Sequence, residues 1–426
     1  MLTQLSVYQL RNLQAVSIQL GQCNVFVGAN GSGKTSLLES LYLLSRGKSF
    51  RHHQPKRYIS HHAPNTTVHA KFADGGSMAI QKAQDASSVM RLGQQTVYVQ
   101  SALAKQLPTL LIDPSSMDIL EVGSGSRRQL LDWIAFHVKP GFHPQWLAYQ
   151  RLLKQRNTLL KQSPRLSQYQ QQELAAWDKG LATHAALITH YRQQAFDEWK
   201  PLFEQLISQL LPDYAPFIQL RFAAGYNTEV PLDELLQQRL TQDCHMGYTR
   251  IGCHRADVQV LWVDDAQARQ LQHEQQQLQN EIPEQLQHQQ AEGLPQDQLS
   301  QKELLKEELP HKGVEDNVRE QAANVLSRGE KKLLITALRL SQLPILSGAS
   351  LSSGTDVSEV LPVVLLDDIT AELDEYALDI LLQTLSQLSC QVFITSLDTE
   401  VMDKISAYWP QAHLFHVKQG SITQAL

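Results

Sequence analysis

Between residues 2 and 20, apolar and polar side chains alternate in two runs, LTQLSVYQL and LQAVSIQL, on either side of Arg11-Asn12. A period of two turns one face of each run toward a core, so the pattern predicts two short strands joined by a turn. A short buried-type strand follows at 24–27, then helical spacing at 35–44. Strand patterning returns over 66–100 (TTVHAKF, SMAIQKA, TVYVQ), with Asp74-Gly75-Gly76 as a turn between the first two runs.

From about 103 to 212 the character changes. Glycine and β-branched residues thin out, and spacings of three and four dominate in RRQLLDWIAFHV, WLAYQRLLKQRNTLLKQ and LAAWDKGLATHAALITHYRQQAFDEW. The stretches 145–161 and 171–200 each suffice for an extended helix, with Ser163-Pro164 as a break between them. No heptad is sustained, which predicts an antiparallel helical arm rather than a long coiled coil. Strands resume at 217–223 and 256–263; a strand at PVVLLDD, a helix near 375–388, a strand at QVFIT and a terminal hairpin complete the chain.

Two segments break this alternation. Residues 264–316 hold 14 glutamines and twelve acids in 53 positions, too little apolar surface for a packed face. They read as a flexible, partly helical insertion without chemistry. SGASLSSGTDVSE at 347–359 reads as a second polar loop.

The 426 residues are 42% hydrophobic, enough for a sizeable core and for two or three domains. No apolar run of about eighteen residues is present, which argues against a membrane span. The first residues, MLTQLSVYQLRN, do not read as a signal peptide. Cys23, Cys244, Cys253 and Cys390 lack paired spacing, which fits reduced thiols in a cytoplasmic protein. Net charge is −6, but the distribution is uneven. Residues 1–71 carry eight Lys/Arg against one acid, Glu39, and residues 121–165 carry eight against Glu121 and Asp132. Such clusters suit a polyanion, or else they meet acidic segments in the fold.

The sharpest chemical signal is GANGSGKT, residues 28–35, between an apolar run and a helical run. In a phosphate loop, backbone N–H groups at a helix N-terminus converge on one point, and glycines let the main chain come close. Gly28, Ala29, Asn30, Gly31, Ser32 and Gly33 would form the cradle, Lys34 would reach the β- and γ-phosphates, and Thr35 would ligate Mg²⁺. In VVLLDD, Asp367 ends a buried strand as the second metal ligand, and Asp368 is placed to orient the attacking water. Read alone, such an acid is a helix cap. LSRGE, 326–330, opens a helical run; alone it signals a helix N-terminus with an acidic first turn.

In this order the three motifs resemble ATPases of the ABC type, with LSRGE as the signature. The resemblance implies that Ser327 and Gly329 face a nucleotide held by a second copy, giving an ATP-dependent homodimer. A transporter ATPase subunit is one alternative, and a DNA-binding module with nucleotide only as a switch is another. Roughly 290 residues, with a large helical region among them, separate phosphate loop and signature, which is closer to chromosome-maintenance and repair ATPases.

LTQLSVYQLRNLQAVSIQL, DPSSMDILEVGSGSRRQLLDW, LLKQRNTLLK, GCHRAD and LLDDITAELD together resemble the RecF family of bacterial repair proteins. Departures are Ser115 and Ser116 for acids, Cys253 for a proline and Ala371 for a serine. The family's water-contacting glutamine loop has no clear counterpart, and 112–118 is the place to look for it.

The resemblance implies an α/β fold: a P-loop ABC-type head, mixed sheet with flanking helices, carrying a helical lobe with a short antiparallel arm. The expected division is head 1–103, helical lobe 104–215, strands returning to the head 216–263, insertion 264–316 and head again 317–426. It further implies a slow, DNA-stimulated ATPase that helps load recombinase at gapped DNA and supports the SOS response. Partners would be duplex DNA, single-strand/duplex junctions and other recombination mediators. Arg46, Lys48, Arg51, Lys56, Arg57, Arg127 and Arg128 are the expected DNA contacts; the alternative for the last two is pairing with Asp132 or Glu121. His52, His53, His61 and His62 read as surface rather than metal ligands.

Overall fold

A computed structural model describes residues 1–162, 166–263, 320–346, 361–368, 373 and 375–425. The opening runs form antiparallel β1 (Leu2–Leu10) and β2 (Leu13–Gln19), turning at Arg11 with φ 52°. Next come β3 (Cys23–Val27) and α1 (Lys34–Arg46), then β4 (Asn65–Phe72), β5 (Ser77–Ala83), β6 (Ser88–Leu92) and β7 (Gln95–Val97). Except for β3, these strands make one antiparallel sheet, ordered β2-β1-β4-β5-β6-β7.

The second sheet collects strands from the whole chain. β3 joins β8 (Thr109–Ile112), β12 (Val363–Leu366), β13 (Gln391–Ser396), β14 (His413–Lys418) and β15 (Ser421–Gln424) in the order β15-β14-β3-β13-β12-β8. All pairs are parallel except β14 with β15. Both faces are covered, so β3, β12 and β13 are buried at every residue. Alternate side chains enter two cores. Val25, Val364, Leu366, Val392 and Ile394 pack with the helical lobe. Phe26, Val363, Leu365 and Phe393 pack with α1 and the first sheet. The head thus reaches at least to Ile112, past the expected boundary at 103. The short run TLLI at 109–112, with three apolar residues, carries no period of its own, and only pairing with β12 makes it a strand.

α2 (Gln100–Gln106) belongs to the head, with Leu103 in the core of α1 and the first sheet. The lobe contains α3 (Asp118–Glu121), α4 (Ser124–Val138), α5 (Phe142–Gln162) and α6 (Gln168–Leu210). Gln145 meets His184 while Arg156 meets Asp178, so α5 and α6 run antiparallel, as the arm was read. A capping box at Ser167 and Gln170 starts α6. The helix passes through Pro201 rather than stopping at 200. The hydrogen bond lost to proline is offset by burial of Trp199, Phe203, Leu206, Ile207 and Leu210. The Ser163-Pro164 break, the insertion 264–316, Ala371 and the loop 347–359 lie outside the described residues.

β9 (Ile218–Ala223) and β10 (Asp257–Trp262) do not rejoin the head sheets. With β11 (Glu320–Gln321) they form a separate antiparallel sheet. Its inner residues Ile218, Leu220, Val258 and Val260 belong to the core shared with the lobe. Two short helices, α7 (Leu232–Gln238) and α8 (Leu240–Met246), lie between β9 and β10. After β11 come α9 (Ala322–Val325), α10 (Arg328–Leu340), α11 (Glu375–Gln387) and α12 (Val401–Tyr408).

Candidate nucleotide site

The parallel sheet brings the predicted residues together by strand order. β13 lies between β3 and β12, so three carboxyl ends converge, the usual place for a ligand in such sheets. The phosphate loop leaves β3 and enters α1. Gly33, at φ 121°, caps that helix without a side-chain hydrogen bond, so the first-turn N–H groups stay open to an acceptor. A Cβ on Gly28 would stand 2.2 Å from the Val417 carbonyl oxygen, which explains why only glycine serves there.

Around the loop lies a cavity of about 250 Å³, lined by Arg11, Asn12, residues 30–36, Arg51 and Asp368. Among the described residues, three cations, Arg11, Lys34 and Arg51, face it against the single acid Asp368, which favours an anionic ligand. Lys34 is 5% exposed, and its Nζ donates to the Gly28 and Ala29 carbonyls at 2.6 and 3.3 Å. The ammonium lies folded over the cradle it would serve. Two buried oxygens at the site, Ser32 Oγ and Asp368 Oδ1, have no hydrogen-bond partner among the described residues. Buried polar atoms are rarely left so. Orphaned oxygens, open N–H groups and excess positive charge together fit a nucleotide phosphate with its cation.

Asp367 sits at the end of β12 as the sequence suggested. Its Oδ1 accepts from Thr35 Oγ1 at 3.0 Å and from Thr395 Oγ1 at 2.9 Å. Burial raises its carboxyl above the usual range, opposed by those hydrogen bonds and assisted by the neighbouring charge of Asp368. Thr35 and Asp367 are hard oxygen donors side by side, the type that holds Mg²⁺. Asp368 adopts φ 50° and donates its backbone N–H to Thr395 Oγ1 at 2.8 Å. Thr395 therefore ties both aspartates in place. Its polar position at the carboxyl end of an apolar strand was a usable signal that the motif reading passed over.

The β1–β2 turn is the second missed component. Asn12 Nδ2 donates to the carbonyls of Gly31 and Ser32 at 3.2 and 2.9 Å, and Asn12 Oδ1 accepts from Ser36 Oγ at 3.3 Å. No local spacing announces that a hairpin turn will support a loop some twenty residues later. The turn at 112–118 contains no glutamine; Asp113 caps it, and it borders Asp367 across a small cavity.

The signature residues lie elsewhere. Ser327 caps α10 in a capping box: its Oγ accepts the Glu330 N–H at 3.4 Å, and Glu330 accepts the Ser327 N–H at 2.7 Å. Ser327, Arg328 and Gly329 are exposed, and nothing would stand within 4 Å of a Cβ on Gly329. None of the three lines the cavity around Lys34.

The basic residues divide. Lys48, Lys56 and Arg57 are exposed, as are the four histidines. Arg51 also lines the phosphate cavity, a place the sequence reading did not give it. Arg46 is half-buried, its Nε without a partner among the described residues, and burial lowers its pKa. Arg127 and Arg128 are not the open surface expected of DNA contacts. Arg127 is 7% exposed and forks onto Asp257 at 2.8 and 2.9 Å, while Arg128 donates to the Ala256 carbonyl at 2.9 Å. They fasten α4 to the start of β10. The ion-pair alternative is nearer, with other partners: Asp132 pairs with Arg192, and Glu121 with Lys331.

Comparison with known proteins agrees with this architecture. Residues 1–422 match the RecF/RecN/SMC N-terminal domain family. The DNA replication and repair protein RecF of Acinetobacter baumannii is 37% identical over 100% of this chain and 99% of its own length. RecF of Vibrio vulnificus is 32% identical over 99% of each. Among solved structures, the recombination mediator protein RecF with ATP matches with TM-score 0.73 at 20% identity, covering 100% of this chain and 97% of that one. An Smc head from Pyrococcus furiosus with an extended coiled coil matches with TM-score 0.52 at 13% identity, covering 100% and 95%. At such identities the structural likeness speaks for the fold alone: an ABC-type ATPase head with a helical lobe. Fold, motif order and full-length sequence identity converge, and the chain belongs to the RecF family of DNA replication and repair proteins.

Proposed function

We propose that the chain is an ATP-gated, dimeric DNA clamp of recombinational repair. The observation that carries the reading is the setting of Ser327: exposed, at the tip of α10, and outside the lining of its own chain's cavity. Because its Oγ accepts the Glu330 N–H, its O–H remains available as a donor. The helix N-terminus behind it adds a positive end. Such a tip suits a phosphate presented from outside, and a two-fold pair of chains would supply one to each tip. A solved RecF structure with ATP in the RecFOR pathway supports nucleotide as the ligand and mediator proteins as partners.

Within one chain, residues 28–33 would cradle the phosphates, and Lys34 would leave its carbonyls for them. Thr35 and Asp367 would hold Mg²⁺, which supplies charge neutralisation at the phosphates. Asp368 would orient the water; being one methylene shorter than glutamate, it supports slow, DNA-stimulated turnover. Lys48, Lys56 and Arg57 offer an exposed basic surface to duplex DNA and to single-strand/duplex junctions. Arg46 and Arg51 flank it, and Arg127 and Arg128 leave the set because they are engaged within the lobe. Closure on DNA would then help load recombinase at gaps and support the SOS response.

Anisotropy of gapped and fully duplex DNA, with and without Mg²⁺ and ATP, tests this. ATP is expected to raise affinity about tenfold or more. Replacing Lys56 and Arg57 by alanine should lower the slope of log affinity against log salt by about 1 per residue. Equal DNA affinity with and without ATP contradicts the gated clamp.

A further inference from the structure

Glu39 has no part in the function just described, yet it is the single acid in the first 71 residues and is 0% exposed. A carboxylate buried on the phosphate-loop helix needs close partners. It has two, from different segments. Arg11 forks onto it through Nε and through Nη2, the latter 2.8 Å from Oε1, and the Ser49 hydroxyl donates to the same Oε1.

Each partner leads somewhere. Arg11 stands on the β1–β2 turn and lines the phosphate cavity. Its remaining nitrogen, Nη1, reaches only the Arg57 carbonyl among the described residues, at a long 3.4 Å, and its backbone N–H donates to the Tyr58 carbonyl at 2.7 Å. Ser49 Oγ accepts the backbone N–H groups of Arg51 and His52, each at 3.0 Å, and so shapes the first turn of the basic segment. One carboxylate therefore joins the helix bearing Lys34 and Thr35, a cation on the cavity wall, and both ends of segment 48–57.

We propose that Glu39 is a positioning residue coupling nucleotide in the phosphate cavity to the conformation of segment 48–57, through Arg11 on one side and Ser49 on the other. A guanidinium can keep one edge on a carboxylate while its other nitrogen turns to a second anion. Glu39 fixes the Nε–Nη2 edge of Arg11. An entering triphosphate draws Nη1 from the weakly held Arg57 carbonyl and frees that end of the segment, while Ser49 keeps the other end anchored. The basic surface then changes shape when nucleotide arrives.

The proposal rests on nucleotide binding at the phosphate loop, so the test reads binding and coupling separately. Amide hydrogen exchange across 49–58 is measured with and without Mg²⁺–ATP in the full chain, beside affinity for a fluorescent ATP analogue. In the parent, nucleotide should change exchange of these amides by about tenfold, the scale of one charge-assisted hydrogen bond. Ser49→Ala and Glu39→Gln should each keep analogue affinity within about threefold while losing most of that response. A parent that binds ATP with no change across 49–58 overturns the coupling and leaves the site reading standing, as does a Ser49→Ala chain with the full response. A parent that fails to bind the analogue overturns the site reading, and the coupling with it.

Discussion

Arg156 in the arm and Lys34 in the head are both buried cations, and their surroundings differ in kind. Arg156 is 0% exposed and meets Asp178 at 2.7 Å, Asp243 at 2.7 Å and Thr249 at 2.7 Å, joining α5, α6 and α8. Arg192 likewise forks onto Asp132, and Arg127 onto Asp257. Lys34 has no carboxylate partner among the described residues, only carbonyls of its own loop, beside two orphaned oxygens and a cavity. A buried charge matched by opposite charge holds a fold together. One left with makeshift partners at a cavity is held ready for a ligand.

The contrast breaks first in the arm. Asp243→Ala leaves Arg156 short of a carboxylate, and losing one partner of a buried pair costs about 3–5 kcal/mol. Denaturant unfolding of the arm should show that loss, with affinity for an ATP analogue unchanged. A variant as stable as the parent would remove the claim that these pairs are structural.

The next largest effect is in pH. His254 accepts the Tyr149 hydroxyl at Nδ1, 2.7 Å away, and its Nε2 lies 3.1 Å from the Thr249 carbonyl, so the neutral ring fits both partners. Burial pushes it down to about 4, with the Arg255 and Arg128 charges assisting and the Thr249 hydrogen bond opposing. The unfolded chain thus binds this proton more readily than the folded one. Stability from the neutral ring is complete above about 6.5 and is lost as pH falls toward 4, to a total of about 3 kcal/mol. His254→Gln should flatten that part of the stability profile. An unchanged slope would show that the ring is not held neutral.

In the head the effect moves from stability to binding. Lys34→Ala should weaken the ATP analogue on the order of 100-fold, as expected for losing charge-assisted hydrogen bonds to phosphate. The unfolding midpoint should barely move, because only contacts within the loop are lost. Binding that stays intact would place the nucleotide elsewhere.

The same contrast explains what could be read in advance. Alternation at 2–20, helical spacing at 145–161 and the GANGSGKT and VVLLDD motifs are local, and the structure places those elements where the pattern put them. The strand at Thr109–Ile112 was hidden because only the neighbouring β12 makes it a strand. The arginines at 127 and 128 looked like a basic surface because their partners, Asp257 and the Ala256 carbonyl, lie about 130 positions away in sequence. Glu39 stood out as a lone acid, yet nothing near it names Arg11 or Ser49 as its partners. Long-range pairing of charge is the part that the linear pattern does not carry.

If Ser327 serves a nucleotide bound by a second copy, Ser327→Arg should separate nucleotide binding from dimerisation. Molar mass by light scattering, with and without ATP, is measured for parent and variant beside analogue binding. Parent mass should double with ATP, while the variant should bind the analogue equally well and stay at monomer mass. A variant that doubles as the parent does, or a parent that binds ATP and remains a monomer, would contradict that role for Ser327.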